Sequence, residues 1–259
     1  MLETVTFDVW NTLLVHDFND DRLTNARIAR VGNALESAGF RISPECLREA
    51  YEYTEERLSL LWKQEKDIGL DGHVALFLDG LGLEPDEMTM AIIREPYALA
   101  LLDFRPSVVD GARDALESLK NKGYRIGLIS NTGRTPGTTI RTVLEGYGLL
   151  SYFDWTAFSN EVGYIKPNLR IFERALAGLG SAPGSAVHIG DSMLLDIYGA
   201  RRAGMKSILF NKYSERFEKY ATRYYDANGR HENPDETVGD LADVAAAVER
   251  LDRAGKVNI

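Results

Sequence analysis

The chain has 259 residues, 44% of them hydrophobic and 27% charged, which is the composition of a globular protein with ample apolar material for a core. Lysine and arginine number 30 against 39 aspartates and glutamates, and the net charge of -9 argues against general affinity for nucleic acid or anionic lipid. With one cysteine, Cys46, the chain can form neither an internal disulfide nor a thiolate zinc cage, and no uncharged stretch reaches the ~18 residues that span a bilayer; a soluble, cytoplasmic protein is expected.

In chain order, the first strand signal is residues 4–9 (TVTFDV). Residues 16–103 then carry almost only helix signal. Ser43–Pro44 is a cap followed by a helix-favouring first position, and Leu47, Ala50, Tyr51, Thr54, Leu58, Leu61 and Trp62 follow at three- and four-residue steps, which predicts a core stripe. Residues 71–82 and 85–102 read as further helices, with Gly80–Leu81–Gly82 as a helix end and not a dinucleotide fingerprint. A helical insert of this size predicts a second domain at 16–103, interrupting a core made of 1–15 and 104–259, with hinges at 15–21 and 101–106.

Beyond the insert, strand and helix alternate. An amphipathic helix at 112–122 precedes a strand at Arg125–Ser130 and a loop at 133–137. Trp155–Phe158 is the next strand, and a helix at 167–179 opens with Pro167 in its first turn. Strands follow at Ala186–Gly190 and Lys206–Phe210, then a polar loop at 226–236, a short strand and a closing helix at 241–251. This alternation predicts an α/β fold around a parallel sheet, with several of its strands apolar on both faces.

Ligands of such sheets bind at the carboxyl ends of the strands. There the sequence places Asp8, Ser130–Asn131 and Asp191, with Asp196 five residues further on. A single strand-end aspartate is most simply a helix cap; three coincidences point to a site. The four histidines show no paired metal spacing, and His188, inside a strand, reads as a packed core residue. Tyr51 and Trp62 read as core, Arg134 as a candidate contact to a phosphate or to a substrate held by the insert, and Arg113, Arg201 and Arg202 as solvated or locally paired.

The local sequences FDVWNTL around Asp8, LIS130–Asn131, Lys166–Pro167 and IGDSMLLDIYGA from Ile189 resemble, in order, the four motifs of the haloacid dehalogenase superfamily. The resemblance implies a Rossmann-like, three-layer core with an inserted helical cap. It further implies an aspartyl-phosphate mechanism with Asp8 as nucleophile, Mg2+ held by Asp8, the Trp10 backbone carbonyl and Asp191 with Asp196 in support, Ser130 on a phosphoryl oxygen, Asn131 completing the second motif, Thr12 supporting the nucleophile loop, and Lys166 as the countercharge. The substrate class would be a small phosphorylated molecule. Three carboxylates against Lys166 and one divalent ion leave the site near neutral, so an anion can enter an acidic protein.

One position departs from the phosphatase pattern. Trp10 stands where family phosphatases carry an acid–base aspartate, and an indole neither gives nor takes a proton at neutral pH. Loss of that group predicts a preference for good leaving groups, since general acid–base catalysis contributes about 10²–10⁴-fold. Asn11 replaces the usual glycine, and asparagine tolerates a left-handed backbone. Two alternatives stay open: a metal-independent 2-haloacid dehalogenase, with Arg22, Arg27 or Arg30 holding the substrate carboxylate, or a weakly catalytic phosphate-binding regulator. Asp191 counts against the former, because a metal-site carboxylate beside an anionic haloacid is repulsive.

Overall fold

The computed structural model describes residues 1–16, 21–213, 225 and 229–257, with side chains as far as residue 254; parts of the predicted 15–21 hinge and 226–236 loop lie outside these. The first strand, β1 (Thr4–Phe7), is followed by β2 (Leu14–Val15), which pairs antiparallel with β3 (Ser107–Val108). Between β2 and β3 run α1 (Arg22–Ser37), α2 (Pro44–Lys63), α3 (Leu70–Gly80) and α4 (Glu87–Ala98), the last continued by a 3-10 turn at Leu99–Leu102. The β2–β3 ribbon thus clasps the two ends of the helical insert. Two residues per strand are too few to leave a periodic signal, and the sequence reading did not contain them.

The remainder is α5 (Ala112–Asn121), β4 (Arg125–Ser130), α6 (Gly137–Gly146), β5 (Trp155–Phe158), α7 (Ser159–Val162), α8 (Leu169–Leu179), β6 (Ala186–Gly190), a π-helical turn at Met193–Tyr198, α9 (Gly199–Arg202), β7 (Lys206–Phe210), β8 (Glu236–Val238) and a helix at Val244–Val257. The sheet order is β5-β4-β1-β6-β7-β8, and every neighbouring pair is parallel. This is the predicted Rossmann-like α/β core. Strand order reverses at β1, where such sheets open a crevice at their carboxyl edge.

The alternating side chains of the strands separate two layers. Val5, Phe7, Ile126, Leu128, Val187 and Ile189 pack with α5, α6 and the Val244–Val257 helix. Ile129 and Ala157 pack on the other face with α8 residues Ile171, Phe172, Ala175 and Leu176. On that second face β1 and β6 are not apolar as expected: Thr6 and His188 stand there, paired by a 2.9 Å hydrogen bond. The insert has its own core, in which Ile28, Leu35, Leu47, Tyr51, Phe77 and Tyr97 pack together. The Ser43 hydroxyl accepts the Cys46 N–H as a cap should, and of the predicted stripe only Leu61 is incompletely buried.

Two helix starts differ from expectation. The Lys166–Pro167 peptide bond is cis and α8 starts after it at Leu169, so Asn168, whose side chain accepts the Arg170 N–H, caps the helix and Pro167 lies outside it. The 133–137 loop leads directly into α6, whose Thr138, Thr139, Ile140, Thr142 and Val143 give it weak intrinsic helix propensity. Packing of Ile140, Val143 and Leu144 into the sheet layer supplies what propensity does not.

Candidate active site

Asp8 is the first residue beyond β1, and its N–H still bonds to Ile189 O at 2.9 Å, so the ladder fixes the backbone beneath it. The chain then turns tightly: Leu13 and Leu14 N–H groups both reach Val9 O, at 2.9 and 2.8 Å. Asn11 takes φ +57°, the left-handed conformation its side chain tolerates, and its Nδ2 donates to Asp191 Oδ2 at 3.1 Å. The turn that follows β1 is thereby tied to the end of β6. Trp10, in the same turn, donates its indole N–H to the Asn131 carbonyl at 3.2 Å and so ties that turn to the end of β4 as well.

Lys166 lies at the centre. It is 1% exposed, and its Nζ stands 2.5 Å from Asp8 Oδ1 and 2.6 Å from Asp196 Oδ1. Asn131 grips its backbone from both sides, accepting the Lys166 N–H at 2.7 Å and donating to the Lys166 carbonyl at 3.2 Å. Asp196 sits in the π-helical turn, capped by Ser192, and its Oδ2 accepts the Ser192 N–H at 3.0 Å. Gly190 makes this approach feasible: a Cβ there would lie 2.2 Å from Asp196 Cγ. His188 Nε2 meets Asp196 Oδ1 at 3.0 Å while Nδ1 faces Thr6 Oγ1. Burial lowers the imidazole pKa, so a neutral ring donating from Nε2 and accepting at Nδ1 satisfies both contacts.

Burial and crowding set the charges. Burial, together with Asp196, pushes the Asp8 carboxyl up to about 7 against the opposing pull of Lys166. Burial and the two neighbouring carboxylates raise Asp191 well above the usual carboxylate range. Burial opposes ionisation of Asp196 most strongly, yet Lys166 and His188 overcome it and hold that carboxyl below its ordinary value. Lys166 is likewise raised against burial by Asp196 and Asp8. Asp196 therefore forms the settled ion pair, and Asp8 and Asp191 are left short of positive charge.

That shortage is what a hard cation would relieve. Ligand oxygens of Asp8, Asp191 and Asp196 lie within 4.8 Å of one another in a buried cluster, and oxygen-only donors suit Mg2+. The residues present fit the ion.

The structure brings together Asp8, Lys166, Asp191 and Asp196, with Asn131 as a clamp on Lys166 and Trp10 in the adjoining turn. Ser130 is buried at the end of β4, its hydroxyl donating to the Asn131 carbonyl at 3.3 Å. Thr12 is buried, but its hydroxyl has no partner among the described residues, so no contact is seen through which it supports the loop. Arg134 turns into the insert, pairing with Glu55 beneath the rings of Tyr51 and Trp62. The insert arginines are also engaged: Arg27 is buried on Tyr97 O and Thr135 Oγ1, Arg30 pairs with Asp103, and Arg22 lies over Phe104. Sequence reasoning did not find the contact of His188 with Asp196 or that of Trp10 with Asn131. An aspartate-bearing turn just after a strand that contains a histidine was the one available signal for the former.

The sequence matches the haloacid dehalogenase-like hydrolases over residues 2–204. It is 35% identical to a glyceraldehyde 3-phosphate phosphatase of Methanothermobacter thermautotrophicus over 218 residues, 82% of this chain and 86% of that one. A ribulose-1,5-bisphosphate 5-phosphatase of Halopiger xanaduensis is 33% identical over 54% of this chain and 57% of its own. The crystal structure of a 2-haloacid dehalogenase from Pseudomonas syringae superposes with a TM-score of 0.67 at 21% identity, covering 97% of this chain and 100% of that one, a likeness of fold. With its four motifs gathered at one sheet edge, the chain belongs to the haloacid dehalogenase-like hydrolases.

Proposed function

We propose that the protein is a Mg2+-dependent phosphatase of small phosphorylated molecules that works through Asp8, with residues 16–103 as a cap over the core of 1–15 and 104–259. The observation that carries this reading is the buried cluster of Asp8, Asp191 and Asp196 closed by Lys166. The phosphatase names of the relatives support it.

In this reading the Asp8 carboxylate attacks phosphorus, the ester oxygen leaves with the bond's electron pair, and water then attacks the aspartyl-phosphate to release phosphate and restore Asp8. Asp8, the Trp10 carbonyl and Asp191 would hold the cation, with Asp196 in support. A cation held there would supply positive charge to the phosphoryl oxygens and to the Asp8 carboxylate. Lys166 offsets the remaining charge, Ser130 donates to a phosphoryl oxygen, and Asn131 fixes the Lys166 backbone. Trp10 provides no proton for the departing oxygen, so aryl and acyl phosphates are better substrates than alkyl phosphates. The dehalogenase alternative is disfavoured by the engagement of Arg27 and Arg30 within the protein. Phosphate release from a substrate panel that stops on chelation is the expected result; halide release from 2-haloacids that persists in chelator would overturn the reading.

A further inference from the structure

Two non-glycine residues have positive φ among the described residues, Asn11 at +57° in the nucleophile turn and Glu65 at +58° in the insert. At Glu65 it is the common left-handed ending of a helix, with the Glu65 N–H on Trp62 O at 2.8 Å. Glu65 ends α2, with Lys66 N–H reaching back to Leu61 O, and it turns residues 65–67 onto the core segment just before Lys166. There Asp67 N–H donates to Gly163 O at 3.0 Å, Ile165 N–H donates to Glu65 O at 3.2 Å, and Lys66 and Tyr164 form an antiparallel bridge. Leu58 and Trp62 of α2 pack on Ile165 beside this bridge.

Asp67 completes the contact. It is 6% exposed and its Oδ2 accepts the hydroxyl of Ser159 at 2.5 Å and that of Thr132 at 3.5 Å, both core residues. Its Oδ1 accepts the Ile68 N–H and the Trp62 indole, with His73 Nε2 at 3.8 Å. Ser159 Oγ in turn accepts the Thr132 N–H at 2.9 Å, and Thr132 directly follows the Asn131 that grips Lys166. Asp67 thus joins the two core segments that meet at Lys166, its carboxyl group reaching Thr132 and Ser159 and its N–H reaching Gly163.

We propose that Asp67 is a positioning residue: docking of the insert through Asp67 and the Glu65 turn sets the loop after β4 and the 163–166 segment in register, so that Lys166 is fixed against Asp8 only when the insert is seated. This rests on the phosphatase reading for its catalytic consequence, and on geometry alone for the coupling. The test uses the full chain with Asp67→Ala, Asp67→Asn, Ser159→Ala and the Asp67→Ala/Ser159→Ala double variant. We measure kcat and KM for p-nitrophenyl phosphate at saturating magnesium, inhibition by inorganic phosphate, and amide hydrogen exchange.

The expected result is a kcat loss of about 10–100-fold with phosphate inhibition within about threefold of wild type, and a double variant no worse than the worse single one. Exchange should rise at 131–134 and 163–166 in the core. Additive losses, unchanged kcat in folded variants, or faster exchange confined to the insert would overturn the proposal. Should Asp67→Ala fail to fold, Ser159→Ala, which cuts the same chain from the core side, carries the test. Exchange changes in the core with no phosphate release by the wild type would overturn the phosphatase reading and leave the coupling standing.

Discussion

Lys166 is the residue on which the site depends. An ammonium group buried in a protein costs several kcal/mol in desolvation, and here that is offset by two carboxylates at hydrogen-bond distance and by a backbone held at both its N–H and its carbonyl. Asp8, Lys166, Asp191 and Asp196 were legible in the sequence because strand-end position and motif spacing are local properties. The Asp67–Ser159 and His188–Asp196 hydrogen bonds were not, because they join residues 92 and 8 positions apart. Trp10 reads in the sequence as standing where family phosphatases carry an acid, but its hydrogen bond to Asn131 left no signal there. Replacing it by aspartate restores a proton donor beside Asp8. We expect Trp10→Asp to raise kcat/KM on alkyl phosphates by about tenfold or more while aryl phosphates change little. A series of substrates of graded leaving-group pKa should be steep in the wild type and flatter in the variant; a flat wild-type series would refute the role assigned to the tryptophan.

Elements with a strong period or a sharp boundary were read correctly, and short or packing-dependent ones were not. Arg125–Ser130, Trp155–Phe158, Ala186–Gly190 and Lys206–Phe210 occupy the predicted strand positions because β-branched and apolar runs bounded by turns are an intrinsic signal. The β2–β3 ribbon and α6 depend on tertiary partners, and local sequence does not record them. The π-helical turn at Met193–Tyr198 is a further case: its irregular winding carries Asp196 to within reach of both Lys166 and His188. The insert, by contrast, stands on its own apolar stripe, with Phe77 fully buried between Tyr97 and the α2 face. Truncation by Phe77→Ala should cost about 3–5 kcal/mol in chemical denaturation. A loss below about 1 kcal/mol would show that this cluster is not the core of the insert.

At the scale of the whole molecule, the net charge of -9 and the proposed anionic substrate would be reconciled inside the site. No helix among the described residues is long and apolar enough to cross a membrane. The fold places an excess of carboxylate where strand order reverses, a charge that a bound cation would offset. The folded-state pKa values of Asp8 and Asp191 lie above their unfolded ones, so between 3.8 and about 7 the metal-free native state holds more protons than the unfolded chain and loses stability as pH rises. Asp196 runs the other way: its lowered pKa contributes stability that is present above 3.8 and is lost as pH falls through its folded value. Magnesium should therefore raise Tm more at pH 8 than at pH 5, with protons released on binding at the lower pH. An equal shift at both pH values would contradict this distribution of charge.

In the proposed reaction Asp8, set against Lys166 and a cation, performs the displacement. This role is tested most directly by phosphate release from p-nitrophenyl phosphate by wild type and Asp8→Asn, each with magnesium and with chelator. Turnover is expected from the wild type with magnesium alone, with a loss of about 10³-fold or more in the variant. Turnover that survives the substitution, or that proceeds unchanged in chelator, would contradict it.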